Sequence, residues 1–214
     1  MSIQQQWQDD SIDVLRQGNL VYIRIHKCAS TYYKNLLLAS GWQPIRYSDI
    51  DWTHDHVFGF IMEPMLRRAK GLVEDIATIT NNRYSTVTDL GSEFFKGVAV
   101  IGVHTLPISS ILGERMNQVD WIPLYQTVDS ESLLKRLLDT HDVKLAWDGP
   151  IPRHESDHDK RFLIEKVKVW SSDASYVVYK TLAHDIELYN QVIARSNLHG
   201  QTWAETSWLG QKIS

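Results

Sequence analysis

Leu20–Ile25 (LVYIRI) limits the architectures open to this chain more than any other stretch. It is short, apolar and β-branched, the composition of a strand buried in a sheet rather than of a surface helix. Small and hydroxylated residues follow it at once. Ser30 and Thr31 offer helix caps, and Tyr32–Ser40 has helical spacing closed by Gly41. A buried strand that feeds a helix through a tight loop is the opening unit of an α/β fold.

The pattern recurs along the chain. Trp42–Tyr47, Val57–Met62 (VFGFIM) and Trp121–Gln126 read as further strands. Pro64 stands where a first helical turn tolerates proline. From there to about Ile79, Leu66, Ala69, Leu72, Val73 and Ile76 share one side of a helix. Ser130–Thr140, Asp157–Trp170 and Ala183–Ala194 read as three more helices, and Gly149-Pro150-Ile151-Pro152 as a rigid loop. Gly97–Val103 fits either a strand or a buried helical turn. Strands alternating with helices predict a three-layer α/β domain with a central parallel sheet flanked by helices. Such a sheet binds its ligand at the carboxyl ends of its strands. One domain over 1–214 is expected, with an N-terminal extension at 1–18 and a C-terminal tail at 197–214 carrying Trp203 and Trp208.

Composition narrows the classes of partner. A formal net charge of −4 disfavours non-specific binding to nucleic acid or an anionic membrane. No run approaches the ~20 apolar residues that span a bilayer, and Met1–Gly18 lacks the apolar centre of a signal peptide. Cys28 is the one cysteine, so no disulfide forms within the chain. These features set the expectation of a soluble, cytoplasmic protein; an oligomer stays open.

His26-Lys27-Cys28-Ala29-Ser30-Thr31-Tyr32 carries the strongest chemical signal. A strand-to-helix turn of small residues aims backbone N–H groups and the positive end of a helix dipole at one point. Lys27 adds a full charge, and the Ser30 and Thr31 hydroxyls add donors. The loop reads as an anion cradle, or as an ordinary turn in which Ser30 caps the helix and Lys27 lies in solvent. The Gly-x-x-x-x-Gly-Lys-Ser/Thr phosphate loop of NTPases is absent.

This segment resembles the phosphosulfate-binding loop of the PAPS-dependent sulfotransferases, Pro-Lys-(Ser/Ala/Cys)-(Gly/Ala)-(Ser/Thr)-Thr, with His26 in place of the proline. Phe58–Arg67 resembles the second signature of that family, an apolar strand running into Arg-Asp-Pro-x-x-Arg, with Glu63-Pro64 and Arg67 matching. His104-Thr105-Leu106-Pro107 resembles the His-x-x-Pro segment of the carbohydrate-type branch. His154-Glu155-Ser156 occupies the place of its Asn-x-Ser, and Asp185–Tyr189 resembles its Asp-x-x-x-Tyr/Phe. The resemblance runs from about Val21 to Val192 and points to a small soluble bacterial or viral form. It implies a P-loop-NTPase-like sulfotransferase fold and transfer of a sulfuryl group from PAPS (3′-phosphoadenylyl sulfate) to a hydroxyl of a carbohydrate or other small acceptor.

The resemblance also implies roles. Lys27 would contact the bridging oxygen of the donor, and Cys28, Ala29, Ser30, Thr31 and Tyr32 would form the cradle, with Ser156 a further donor contact. Met62 falls where the 3′-phosphate arginine of the family stands and Lys70 where a serine helps, so Lys70 with Arg67 or Arg68 is expected to supply the missing charge. No metal is expected, because a sulfuryl group carries less charge than a phosphoryl group. The general base should titrate near neutrality. His56 and His104 rank first for that role, with His54 and Glu63 behind them. His54-Asp55-His56 reads equally as a polar turn or a metal-ligand pair.

Two rival functions remain: a nucleotide- or phosphate-binding protein of the same fold without turnover, and a zinc hydrolase. The second would use His154-Glu155-Ser156-Asp157-His158, which matches His-Glu-x-x-His. That pattern needs both imidazoles on one helical face, whereas Pro150 and Pro152 put it across a loop and a helix start.

Overall fold

The computed structural model describes residues 8–9, 11–81, 89–124, 130–145, 158–171 and 173–198. Among these residues five strands form one sheet: β1 (Val14–Gln17), β2 (Leu20–Ile23), β3 (Gln43–Ile45), β4 (His56–Met62) and β5 (Asp120–Leu124), in the order β3-β1-β2-β4-β5. β2, β4 and β5 run parallel, with Tyr22 opposite Phe58 and Phe60 opposite Ile122. The sheet is mixed rather than parallel throughout, because β1 turns back on β2 and β3 turns back on β1. The β1–β2 hairpin closes through Gly18-Asn19, and Gly18 has φ +61°, which glycine adopts without steric cost. Val14–Gln17 therefore belong to the sheet and not to an N-terminal extension. The two outer strands, β3 and β5, each carry a proline, Pro44 and Pro123.

Helices flank this sheet: α1 (Ser30–Ala39), α2 (Pro64–Ile79), α3 (Gly91–Gly97), α4 (Ile108–Leu112), α5 (Ser130–Thr140), α6 (His158–Ser171) and α7 (Tyr176–Leu198). Gly97–Val103 is thus the end of α3 and an irregular segment after it, not a strand. The long helix α2 begins as its sequence predicts. Pro64 takes the first position, and the Glu63 carboxylate accepts from the N–H groups of Met65 (3.0 Å) and Leu66 (2.6 Å). None of the described helices is long and apolar enough to cross a membrane.

The main core gathers the strands and the inner faces of α1, α4, α5 and α7, with Tyr22, Phe58, Phe60 and Trp42 fully buried. A second cluster joins Ala69, Leu72, Val73 and Ile76 of α2 to Phe95 of α3 and to Leu163 and Val167 of α6. Gly59 sits mid-strand because a Cβ there would lie 2.9 Å from the Trp121 ring and 3.2 Å from the Ile23 carbonyl oxygen. This close packing holds the carboxyl end of β2, where the loop begins, against the middle of β4.

Candidate active site

Within the loop after β2, Lys27 (φ +65°) and Ala29 (φ +49°) are both left-handed, a conformation that costs a non-glycine residue about 1–2 kcal/mol. Left-handed residues alternating with ordinary ones turn successive N–H groups toward one side. Ala29, not Ser30, occupies the N-cap of α1. No side chain caps the helix, and its first turn holds no acidic residue. Among the described residues, the N–H groups of Ala29, Ser30 and Thr31 have no hydrogen-bond partner. The plain capping role for Ser30 is therefore not what the loop uses. The exposed amide dipoles favour an anion.

These groups open onto a cleft of about 520 Å³. Ala29, Ser30, Thr31, Tyr32 and Tyr33 form one wall, with Arg24, His26 and Lys27 beside them. Glu74 of α2, His104 from the segment before α4 and Glu131 of α5 complete it. The Lys27 ammonium lies 3.2 Å from Glu74 Oε2, which Lys160 of α6 also contacts. Burial lowers the Lys27 ammonium below its ordinary range, against the opposing pull of Glu74. Burial would raise the Glu74 carboxyl, but Lys160 and Lys27 overcome it and bring it down to about 2. The Tyr32 hydroxyl donates to Glu131 (3.1 Å).

His104 belongs to an acid–imidazole pair. His104 Nδ1 lies 2.6 Å from Oδ1 of Asp75, which is only 5% exposed, and the Thr105 hydroxyl lies 3.0 Å from Oδ2. Two glycines permit this approach. A Cβ on Gly102 would lie 2.8 Å from the Asp75 carboxylate, and one on Gly71 would lie 2.5 Å from the His104 carbonyl oxygen. The His26 ring meets His104 edge-on with centroids 4.9 Å apart.

Burial, then the charge of Arg24, presses the His26 imidazole down to about 4 from an ordinary 6.5. The unfolded chain therefore binds a proton between these values that the folded chain refuses. Stability is expected to be full above about pH 6.5 and to fall as pH drops from there through 4. The loss of the Glu74 ion pairs adds to it between about 4.5 and 2. Urea unfolding of a His26→Gln variant across pH 4–7 checks this; a slope equal to that of the wild type over this range would refute it.

The expected site residues divide into those in the cleft and those elsewhere. Lys27, Ala29, Ser30, Thr31, Tyr32 and His104 line it. Cys28 does not: its side chain is buried in the core and its N–H donates to Ile25, while burial pushes the thiol up to about 11. His56 is also misplaced. It opens β4 opposite Leu20 in the register, at the amino ends of the strands, whereas the loop leaves the carboxyl end of β2. There it pairs with Asp120 (2.6 Å), and its ring lies tilted against that of His141 with centroids 4.4 Å apart. His54 precedes it on the same edge, bonded to Asp51 (2.8 Å). Glu63 is occupied in capping α2.

The cationic helix face also differs from expectation. Arg67 and Arg68 are each 1% exposed. Arg68 donates to the carbonyls of Phe95 and Val98. Arg67 donates to the Leu106 carbonyl and lies 3.6 Å from the fully buried Asp185, which accepts from the N–H groups of Ile108 (2.7 Å) and Ser109 (2.9 Å). Arg67, Leu106 and Asp185, from three separate motifs of the chain, thus meet in one internal joint. Lys70 is half-buried and does not line the cleft, and burial lowers its ammonium. Ser156 and the His154–Asp157 part of the zinc-like motif lie outside the described residues.

Arg24, Glu74, Asp75 and Glu131 went unread in the sequence, and His26 was read only as a replacement for proline. Gly71 within a helix and Gly102 before His104 are the signals that mark the close approach. A scan against protein-family models finds no match, and searches of curated proteins and of solved structures find none either.

Proposed function

We propose that this cleft binds the phosphosulfate of PAPS and transfers its sulfuryl group to a hydroxyl of a carbohydrate or other small acceptor. The observation that supports it is the uncapped start of α1 with Lys27 on one wall of the cleft, and an imidazole backed by a carboxylate on another. In this reading the acceptor oxygen attacks sulfur while the bond from sulfur to the bridging phosphate oxygen breaks. The electron pair leaves with adenosine 3′,5′-bisphosphate, and the acceptor proton passes to His104. Lys27 and the N–H groups of Ala29, Ser30 and Thr31 stabilise charge developing on the leaving phosphate. Catalysis of this kind is mostly positioning plus charge stabilisation. Arg24 takes the place in the proposal that the resemblance gave to Lys70 with Arg67 or Arg68, because among the described residues it is the cleft-lining cation besides Lys27.

The test is a transfer screen with sulfate-labelled PAPS across glycans, alcohols and phenols. It is paired with binding of adenosine 3′,5′-bisphosphate and of AMP to the wild type, Arg24→Ala and Lys70→Ala. The bisphosphate is expected to bind at least tenfold more tightly than AMP, with the preference lost in Arg24→Ala and kept in Lys70→Ala. Equal affinity for the two nucleotides in the wild type would remove PAPS as the donor. Tight bisphosphate binding with no labelled product from any acceptor would instead favour a binding protein without turnover.

A further inference from the structure

We propose that Asp75 is the positioning residue of the cleft: it fixes His104 as the Nδ1–H tautomer, so that Nε2 carries the lone pair that takes the acceptor's proton. This rests on reading the cleft as a transferase site with His104 as its base. An imidazole has two nitrogens, and a carboxylate beside one of them decides which keeps the hydrogen. Asp75 Oδ1 lies 2.6 Å from His104 Nδ1, in hydrogen-bond range, and an ionised carboxylate only accepts. The hydrogen must then sit on Nδ1.

The carboxylate is itself held. Thr105 Oγ1 accepts from the N–H groups of Ile101 (2.9 Å) and Gly102 (3.1 Å), which occupies its lone pairs. Its one hydrogen has two acceptors in reach, Asp75 Oδ2 (3.0 Å) and the Gly102 carbonyl (2.9 Å), and the charged carboxylate is the stronger. Thr105 is fully buried and Gly102 packs directly on the Asp75 carboxylate, so neither oxygen is free to rotate toward solvent. Charged and titratable groups surround the pair from several elements: Glu74 from α2, Arg24, His26 and Lys27 from the loop after β2, and Lys160 from α6.

Asp75→Asn inverts this arrangement. With Thr105 donating to the amide oxygen, the amide nitrogen faces His104 Nδ1 and donates to it, which moves the ring hydrogen to Nε2. A base presented in the wrong tautomer is expected to cost ~10³–10⁴ in kcat, with the KM for donor changed less than about threefold. The readout that packing alone would not move is the tautomer, read from ¹⁵N shifts of the labelled full chain at alkaline pH, with His104 assigned by its absence in His104→Asn. The wild type is expected to show the Nδ1–H form and Asp75→Asn the Nε2–H form. His104→Asn and the double variant are expected to share one residual rate.

An Nε2–H tautomer in the wild type would overturn the proposal, and this measurement decides even if Asp75→Asn fails to fold. An Asp75→Asn enzyme with unchanged kcat and tautomer would overturn it too. An Nδ1–H tautomer in a protein that transfers sulfate to no acceptor would uphold the pair and remove the sulfuryl-transfer reading alone.

Discussion

The Lys27→Ala variant is expected to lose ~10²–10³ of the transfer rate, the usual cost of removing one donor to a developing negative charge. Its fold should survive. Alanine at position 27 meets the same left-handed strain as lysine, so the backbone is not asked to change. The lost ion pair is a partly exposed one, and Glu74 keeps Lys160 as its partner. The loss should fall on kcat more than on donor affinity, because the N–H groups of Ala29, Ser30 and Thr31 remain. Steady-state kinetics with labelled PAPS, beside a urea midpoint, checks both halves. A variant with the wild-type rate would take the loop out of the chemistry, and one that no longer folds would make Lys27 a structural residue.

The second large effect concerns stability. Arg67→Ala is expected to cost about 3–5 kcal/mol, because it leaves Asp185 as a buried charge without its cation and opens a cavity. Asp185 would still accept from Ile108 and Ser109, so the start of α4 should persist while the joint between α2, α4 and α7 loosens. Arg67→Met with Asp185→Asn removes both charges at similar volume but turns an amide nitrogen toward one of the two N–H groups, so it is expected to recover only part of the loss. Two atoms of the Arg67 guanidinium, Nε and Nη1, have no hydrogen-bond partner among the described residues, which favours replacing it. Chemical denaturation of the three proteins measures this. A single variant within 1 kcal/mol of wild type would show the pair to be dispensable.

These two arginine and lysine cases mark how far the sequence could be read. The strand, loop and first helix were legible because an apolar run, small residues and a helical period follow one another without interruption. Pro64 and the apolar side of α2 were legible for the same reason. β1 was not, since Val14–Gln17 is four residues long and is given its place by a hairpin partner rather than by its own pattern. His56 was placed at the wrong edge although its position just before a strand argues for the amino end in a parallel sheet. Asp75 and Glu74 lie off the apolar side of α2 and belong to no motif. Their roles follow from what packs against them, the irregular segment ending in His104, and no local period encodes such a contact. Arg67 and Arg68 misled in the opposite direction: adjacent cations suggested a phosphate site, while their guanidinium groups serve carbonyls inside the protein.

The two prolines at the borders of the sheet have a further consequence for how copies of this chain meet. A strand at a sheet edge offers unpaired N–H and C=O groups to any passing strand, and proline withholds the donor. Pro44 does this in β3 and Pro123 in β5, so both lateral ends are poor templates for another strand. β3 is also only three residues long. Self-association by joining sheets edge to edge, the route that leads toward fibrils, is thereby discouraged at both ends. Large apolar side chains stand exposed instead on helices, among them Phe162 and Val169 of α6 and Tyr176 and Val177 of α7.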